Sequence, residues 1–168
     1  MPESYCLTYL SFAGNWRSGA TPQRGNAEFY NGDIPWIKTG ELNNSVIYDS
    51  AEKITKEALL KCSLPINDVG NVLIAMYGAT IGKLAIVGTP LTTNQACCGC
   101  KPFTGIHNKY LFYYLMANKQ RFIESAEGGA QPNISREKIV AYPFVIPPHR
   151  QQVLISERLD FILNQINN

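Results

Sequence analysis

Apolar and polar positions along this chain change in short blocks through most of its length and settle into helical spacing only towards the end. The first third is broken by "SGATPQRGN" and "YNGDIPW", rich in the Gly, Pro, Asn and Asp that preset turn dihedrals, so short strands between loops are expected there. "IPWIKT" reads as a brief strand beginning at a proline, which suits an edge or a first position because proline has no N–H to give a ladder. Thr55 has the side chain of a helix N-cap. Glu57 follows in the first turn, then Ala58, Leu59 and Leu60, and the helix is expected to end near Cys62.

Val72 to Met76 and "KLAIVG" are two β-rich apolar runs around a glycine-bounded turn, which predicts a hairpin with Gly78 and Gly82 supplying its dihedrals. "TTNQACCGCKP" is a third strand candidate. "HNKYLFYYLMANKQRFIESA" reads as one helix, capped by His107 or Asn108, stopping at Gly128-Gly129 and burying its aromatics. Ser135 opens a short helix, and "VAYPFVI" is a strand closed by Pro147-Pro148. Beyond Arg150, Ile155, Leu159, Ile162 and Ile166 follow in steps of four and three, with Gln152 one step earlier on the same stripe; this is the seam of a coiled coil and the expected subunit interface. The pattern predicts an α+β fold, a mixed or antiparallel sheet-rich domain with short helices over residues 1–148, followed by the start of a coiled-coil helix over 149–168.

A chain of 168 residues suits one domain, and 45% hydrophobic with 17% charged residues is a globular composition. No apolar run approaches the roughly 18 residues of a membrane helix and no signal peptide opens the chain, so a cytoplasmic protein without membrane contact is expected. Five cysteines, three of them at Cys97, Cys98 and Cys100, lack disulfide spacing. Cys97 and Cys100 could seed a zinc site, but no second ligand pair repeats the spacing; buried strand thiols are the plainer reading and no metal is expected. From Val69 through Ile123 there is no acid, while Lys83, Lys101, Lys109, Lys119 and Arg121 all fall inside. Such a field suits a polyanion, and equally suits solvated charges on different faces.

Motifs that would make an enzyme fail on their requirements. Gly78 and Gly82 enclose three residues and Leu84 follows Lys83, so a phosphate loop is one residue short and lacks its metal hydroxyl. "VIPPH" has Ile146 where an amino-directed DNA methyltransferase needs an amide or carboxyl acceptor before its prolines. There is no G-x-S-x-G, no H-E-x-x-H and no catalytic constellation among the two histidines.

Taken in order, "SGATP", "FYNGDIPWIKTGEL", "YGATIGKLAI", "TTNQA" and "PPHRQQ", from about Ser18 to about Leu159, resemble the specificity subunits of type I restriction-modification systems. The resemblance implies a non-catalytic target recognition domain that reads one half of a split double-stranded DNA site. It also implies docking to methyltransferase subunits that bring S-adenosylmethionine, this chain holding no cofactor, and a restriction subunit joined through the complex. Family members carry two recognition domains separated by two long helices, so this chain would be either a half-size subunit that pairs, for instance as a homodimer through its last helix, or a fragment. Lys38, Thr39, Thr80 and Lys83 are candidate DNA contacts, and Asn94, Gln95, Gln131 and Asn133 are candidate adenine readers. For each, turn hydrogen bonding or a merely solvated side chain is the alternative. A scaffold that sequesters a methyltransferase or another specificity subunit without binding DNA is the rival function.

Overall fold

The computed structural model describes residues 5–129 and 132–166. In chain order the elements are β1 (Cys6–Tyr9), β2 (Gly14–Ser18), β3 (Tyr30–Ile37), β4 (Ser45–Ile47), β5 (Lys53–Ile54), α1 (Lys56–Lys61), β6 (Val72–Ala75), β7 (Leu84–Val87), β8 (Thr92–Thr93), β9 (Cys97–Pro102), α2 (Asn108–Ala117), α3 (Lys119–Glu124), α4 (Arg136–Val140), β10 (Pro143–Ile146) and α5 (His149–Ile166). The fold is α+β, as the pattern predicts. A five-stranded sheet, ordered β2-β9-β6-β7-β4, is antiparallel except for its last pair; β5-β3-β8 and β1-β10 form two smaller sheets.

The central strands are buried on both faces, so they read as apolar runs rather than alternating ones. Val72, Ile74, Leu84, Ile86, Cys98 and Cys100 face a core built with Leu111, Leu115, Phe122 and Phe144, while Leu73, Ala75, Ala85, Val87 and Cys97 face a second core with Ile37, Leu42 and Leu91. The cysteines are therefore strand residues on opposite faces of β9. Burial drives their thiols strongly upward, Cys98 to about 12, so they stay protonated and inert as nucleophiles. Gly99 sits between them because a Cβ there would lie 2.0 Å from Asn67 Oδ1. A third small core of Phe29, Trp36, Ile54, Ala58 and Leu64 fastens α1.

Several local expectations hold in detail. Thr55 caps α1 by accepting from the Ala58 N–H at 3.2 Å, Ser135 caps α4 by accepting from Lys138 at 3.2 Å, and β6 and β7 form the hairpin. Gly78 and Gly82 take φ of +59° and +75°, values that a Cβ disfavours.

Other expectations are corrected. The strand around "IPWIKT" starts at Tyr30 and is the middle strand of its sheet; Pro35 is tolerated because pairing with β8 begins only at Trp36. "TTNQACCGCKP" is two strands, β8 and β9, separated by a turn closed by Cys97 N–H to Asn94 O at 3.2 Å. The long helix is broken into α2 and α3 at Asn118, whose side chain donates to Tyr114 O at 2.8 Å and accepts from the Tyr142 hydroxyl at 2.9 Å; α3 then ends at Glu124, short of the glycines. The last strand shortens to Pro143–Ile146 because α4 takes Val140. The aromatics of α2 do join the core: Tyr110 and Phe112 are buried, with Tyr113 and Tyr114 packed against it.

The stripe along α5 is also corrected. Gln152 and Ser156 are fully buried against the chain's own domain and Ile155 packs on the first core, with Leu159 partly buried beyond it. Lys109 Nζ donates to Asp160 at 2.6 Å and the Tyr113 hydroxyl also bonds Asp160, so α5 lies along α2. Ile162 and Ile166 are exposed, as are Leu154 and Phe161. The apolar stripe thus turns from self-packing at its start to open surface at its end.

Candidate nucleic-acid interface

One end of the five-stranded sheet gathers loops from distant parts of the sequence. Ser18 at the close of β2, Ala75 at the close of β6 and Leu84 at the start of β7 all lie at the Cys97 end of β9. The segment leaving β2 is stitched to the turn after β8: Gly19 N–H donates to Cys97 O at 3.1 Å and Ala20 N–H to Thr93 O at 3.0 Å. Only glycine fits here, since a Cβ on Gly19 would stand 2.0 Å from Thr93 O. Asn94 N–H donates to Ile37 O at 2.9 Å, which sets Lys38 and Thr39 beside the same turn. The Thr21 hydroxyl bonds Gln95 Oε1. Met76 N–H then donates to Ala96 O at 2.8 Å, Gly78 N–H to Pro132 O at 2.7 Å and Ile134 N–H to Met76 O at 2.9 Å. A continuous hydrogen-bonded rim results, running from Thr21 through Asn94, Gln95 and Tyr77 to Asn133.

The rim collects Lys38, Thr39, Thr80, Lys83, Asn94, Gln95 and Asn133; Gln131 lies outside the described residues. Their present bonds limit what each offers. Asn94 Oδ1 is enclosed and has no donor among the described residues, and the exposed Gln95 gives its Oε1 to Thr21, so bidentate pairing with an adenine edge needs the Asn94 amide to turn outward and the Gln95 amide to release Thr21. Asn133 is exposed, with its backbone exchanging bonds of 2.8 and 2.7 Å with Glu127. Thr80 donates its hydroxyl to Tyr77 O at 2.7 Å, and Lys38 Nζ donates to Glu52 at 2.6 Å.

The acid-free stretch of sequence does not form one positive face. Lys101 pairs with Asp68 at 2.8 Å, Lys109 with Asp160, and Arg121 donates to the Tyr142 hydroxyl at 3.1 Å. Lys83 and Lys119 make no ion pair among the described residues, and the Lys119 stem lies over Gly82, the residue before Lys83. Lys119 therefore belongs with the rim, although its distance in sequence hid it.

Arg24 is the other residue that sequence reasoning missed. Its guanidinium carbon stands 5.0 Å from the Tyr30 ring centroid and 4.9 Å from that of Trp36, and its Nη1 is 2.5 Å from Glu52 Oε2. The rings are themselves tied to the rim loop, Trp36 Nε1 donating to Ala20 O at 3.0 Å and the Tyr30 hydroxyl to Pro22 O at 2.6 Å. An arginine two residues after a proline in a turn-rich loop, upstream of Tyr and Trp, was the available signal.

The helix α5 begins at the other end of the sheet. Pro102 closes β9 there, and Gly70, just before β6, accepts from the Asn108 side chain at 3.2 Å, next to the His107 that Gln152 holds. Rim and helix start are thus separated by the length of the sheet.

Residues 14–168 match the family model described as the type I restriction modification DNA specificity domain. The chain is 34% identical over 161 residues to the MjaIX specificity subunit of Methanocaldococcus jannaschii, covering 91% of this chain and 37% of that one. It is 28% identical over 157 residues to the EcoR124I/EcoR124II specificity subunit of Escherichia coli, covering 90% and 39%. It spans about two-fifths of the length of these relatives. The crystal structure of the HsdS subunit from Thermoanaerobacter tengcongensis matches its fold with a TM-score of 0.76 at 18% identity, over 99% of this chain and 39% of that one. A structure of a type I R-M system, described for its complex assembly and conformational transition, matches at 0.78 and 18% identity over 99% of this chain and 40% of that one. With the family model covering nearly all of its length, the chain belongs to the type I restriction modification DNA specificity domain family.

Proposed function

We propose that this chain is a non-catalytic target recognition domain that reads one half of a bipartite double-stranded DNA site and docks methyltransferase subunits there. The observation that carries this reading is the rim itself, where backbone hydrogen bonds gather the loops of Asn94, Gln95 and Asn133 with the hairpin of Lys83, against which the Lys119 stem packs. Amides supply base readout and lysines supply phosphate contacts, the two components of sequence-specific binding. The relatives' descriptions as specificity subunits support the assignment. In this reading S-adenosylmethionine and base flipping belong to the methyltransferase, and a restriction subunit joins through the complex. The exposed Leu154, Phe161, Ile162 and Ile166 of α5 offer an apolar face to a partner helix, a second copy of this chain included.

A scaffold that sequesters such partners without DNA is the second reading. It draws on the enclosed Asn94 Oδ1, on the Gln95 Oε1 already bonded to Thr21 and on the neutralised Lys38. Gel-shift titration of the full chain with duplex DNA in a salt series separates the two. Binding that weakens steeply with salt supports recognition, and an absence of binding at low salt supports the scaffold.

A further inference from the structure

Glu52 is a single carboxylate shared by two cations from different parts of the chain. Its Oε2 lies 2.5 Å from Arg24 Nη1 and its Oε1 lies 2.6 Å from Lys38 Nζ. Neither cation is buried, their side chains being 54% and 37% exposed, with Glu52 at 34%. Arg24 cannot wander freely, because its guanidinium is stacked over Tyr30 and Trp36, whose polar tips are in turn fastened to the Ala20–Pro22 loop. That loop carries Thr21, which bonds Gln95 on the rim, and Lys38 precedes the Thr39–Glu41 turn set by Ile37 and Asn94. The two cations therefore converge on one anion next to the candidate base readers, and Arg24 and Glu52 also line an open cavity of about 550 Å³ with Tyr30, Asn31 and Lys53.

Two oxygens held between an arginine fork and an ammonium are the arrangement that either cation also offers a phosphate. Resting on the DNA-recognition reading, we infer that Arg24 and Lys38 form a backbone phosphate clamp whose place is held in the free protein by the Glu52 carboxylate, which a DNA phosphodiester displaces on binding. The exchange moves no proton and breaks no covalent bond: one anion replaces another on a preformed pair of cations. The internal carboxylate keeps the aromatic-backed arginine oriented while DNA is absent. It also lowers the site's net charge from two cations to one, which weakens attraction for DNA that does not otherwise fit the rim. Hydrogen bonds from Lys38, then Arg24, hold the Glu52 carboxyl below its ordinary range, so it stays anionic at neutral pH and competes with phosphate there.

The test is fluorescence anisotropy of the full chain with a mixed-sequence duplex over a range of salt, for wild type, Glu52→Gln, Arg24→Gln and the double variant. Glu52→Gln keeps shape and removes charge; it is expected to raise affinity at low salt several-fold because no carboxylate has to be displaced, while the phosphate contact itself is made in both proteins. Arg24→Gln is expected to weaken binding, and in the double variant the gain from Glu52→Gln is expected to shrink. Glu57→Gln, on the surface of α1, controls for mere loss of an acid and is expected to leave slope and affinity unchanged. Wild type that binds with a silent Glu52→Gln, or a gain that survives intact without Arg24, overturns the clamp and leaves DNA recognition standing. No binding by wild type or by any variant overturns the recognition reading and the clamp with it. Binding gained only by Glu52→Gln supports the clamp.

Discussion

The side-chain oxygen of Gln152, on the first turn of α5, accepts the backbone N–H of His107 at 2.9 Å, and its amide nitrogen donates to Gly105 O at 3.0 Å and Pro147 O at 2.9 Å. Gln152 is fully buried, so three backbone groups of two segments depend on one side chain. Gln152→Leu keeps volume and leaves those groups unpaired. Only the bond to Pro147 O is buried, those to His107 and Gly105 being part-buried, so the cost of about 1–3 kcal/mol for an orphaned buried group falls mainly on Pro147; a fall in thermal midpoint is expected, with hydrogen exchange rising first along α5. An unchanged midpoint would mean that water replaces the amide.

Lys83→Ala is expected to weaken binding to all duplex sequences about equally and to make the salt slope shallower by about 0.9, as loss of one phosphate contact does. Anisotropy over a salt series checks it. An unchanged slope would leave Lys83 a solvated residue of a hairpin turn, the alternative that its sequence left open.

His107 and His149 meet edge to face with ring centroids 6.0 Å apart where α5 joins the domain. Burial, then the nearby His149 and Lys109, lower the His107 pKa below its ordinary 6.5, against the opposing pull of Asp160 and Glu157. The unfolded chain therefore takes up this proton before the folded one does. Stability from His107 is fully present above about pH 6.5 and is lost as pH falls through that value towards the lowered folded pKa. Thermal midpoints measured from neutral to mildly acidic pH are expected to decline in this window, and less so in His107→Gln. An identical decline in the variant would place the titration elsewhere.

Several elements were legible because their signals are local. Thr55 and Ser135 cap their helices through bonds three residues away, and the glycines at 78 and 82 mark the hairpin that they turn. The break at Asn118 was not legible, since its partner Tyr142 is 24 residues distant and only the folded chain brings that hydroxyl to the helix. The same limit hid the site: Glu52 meets Arg24 across 28 residues and Lys38 across 14. The heptad-like spacing in α5 was real, but periodicity does not say which partner a stripe meets, and its first half meets its own domain.

The exposed apolar end of α5 is wider than that stripe, since Phe161 stands about 100° around the helix from Ile162. Each large apolar side chain removed from water contributes about 1.5–3 kcal/mol, before the cost of association, so Phe161, Ile162 and Ile166 together can hold a partner helix. A concentration-dependent dimer is expected in sedimentation, with Phe161→Asp and Ile162→Asp each shifting it to monomer while the domain stays folded. A monomer at every concentration, unaffected by either substitution, would reserve the face for a different protein.

Under the proposed function this chain alone carries sequence information for one half of a DNA site. Selection of bound duplexes from a randomised library by the full chain, followed by sequencing, tests it most directly. Enrichment of one short motif containing adenine is expected, and its loss, with residual salt-dependent binding, in Asn94→Ala or Gln95→Ala. A bound pool indistinguishable from the starting library, at a salt concentration where duplex still binds, would contradict it.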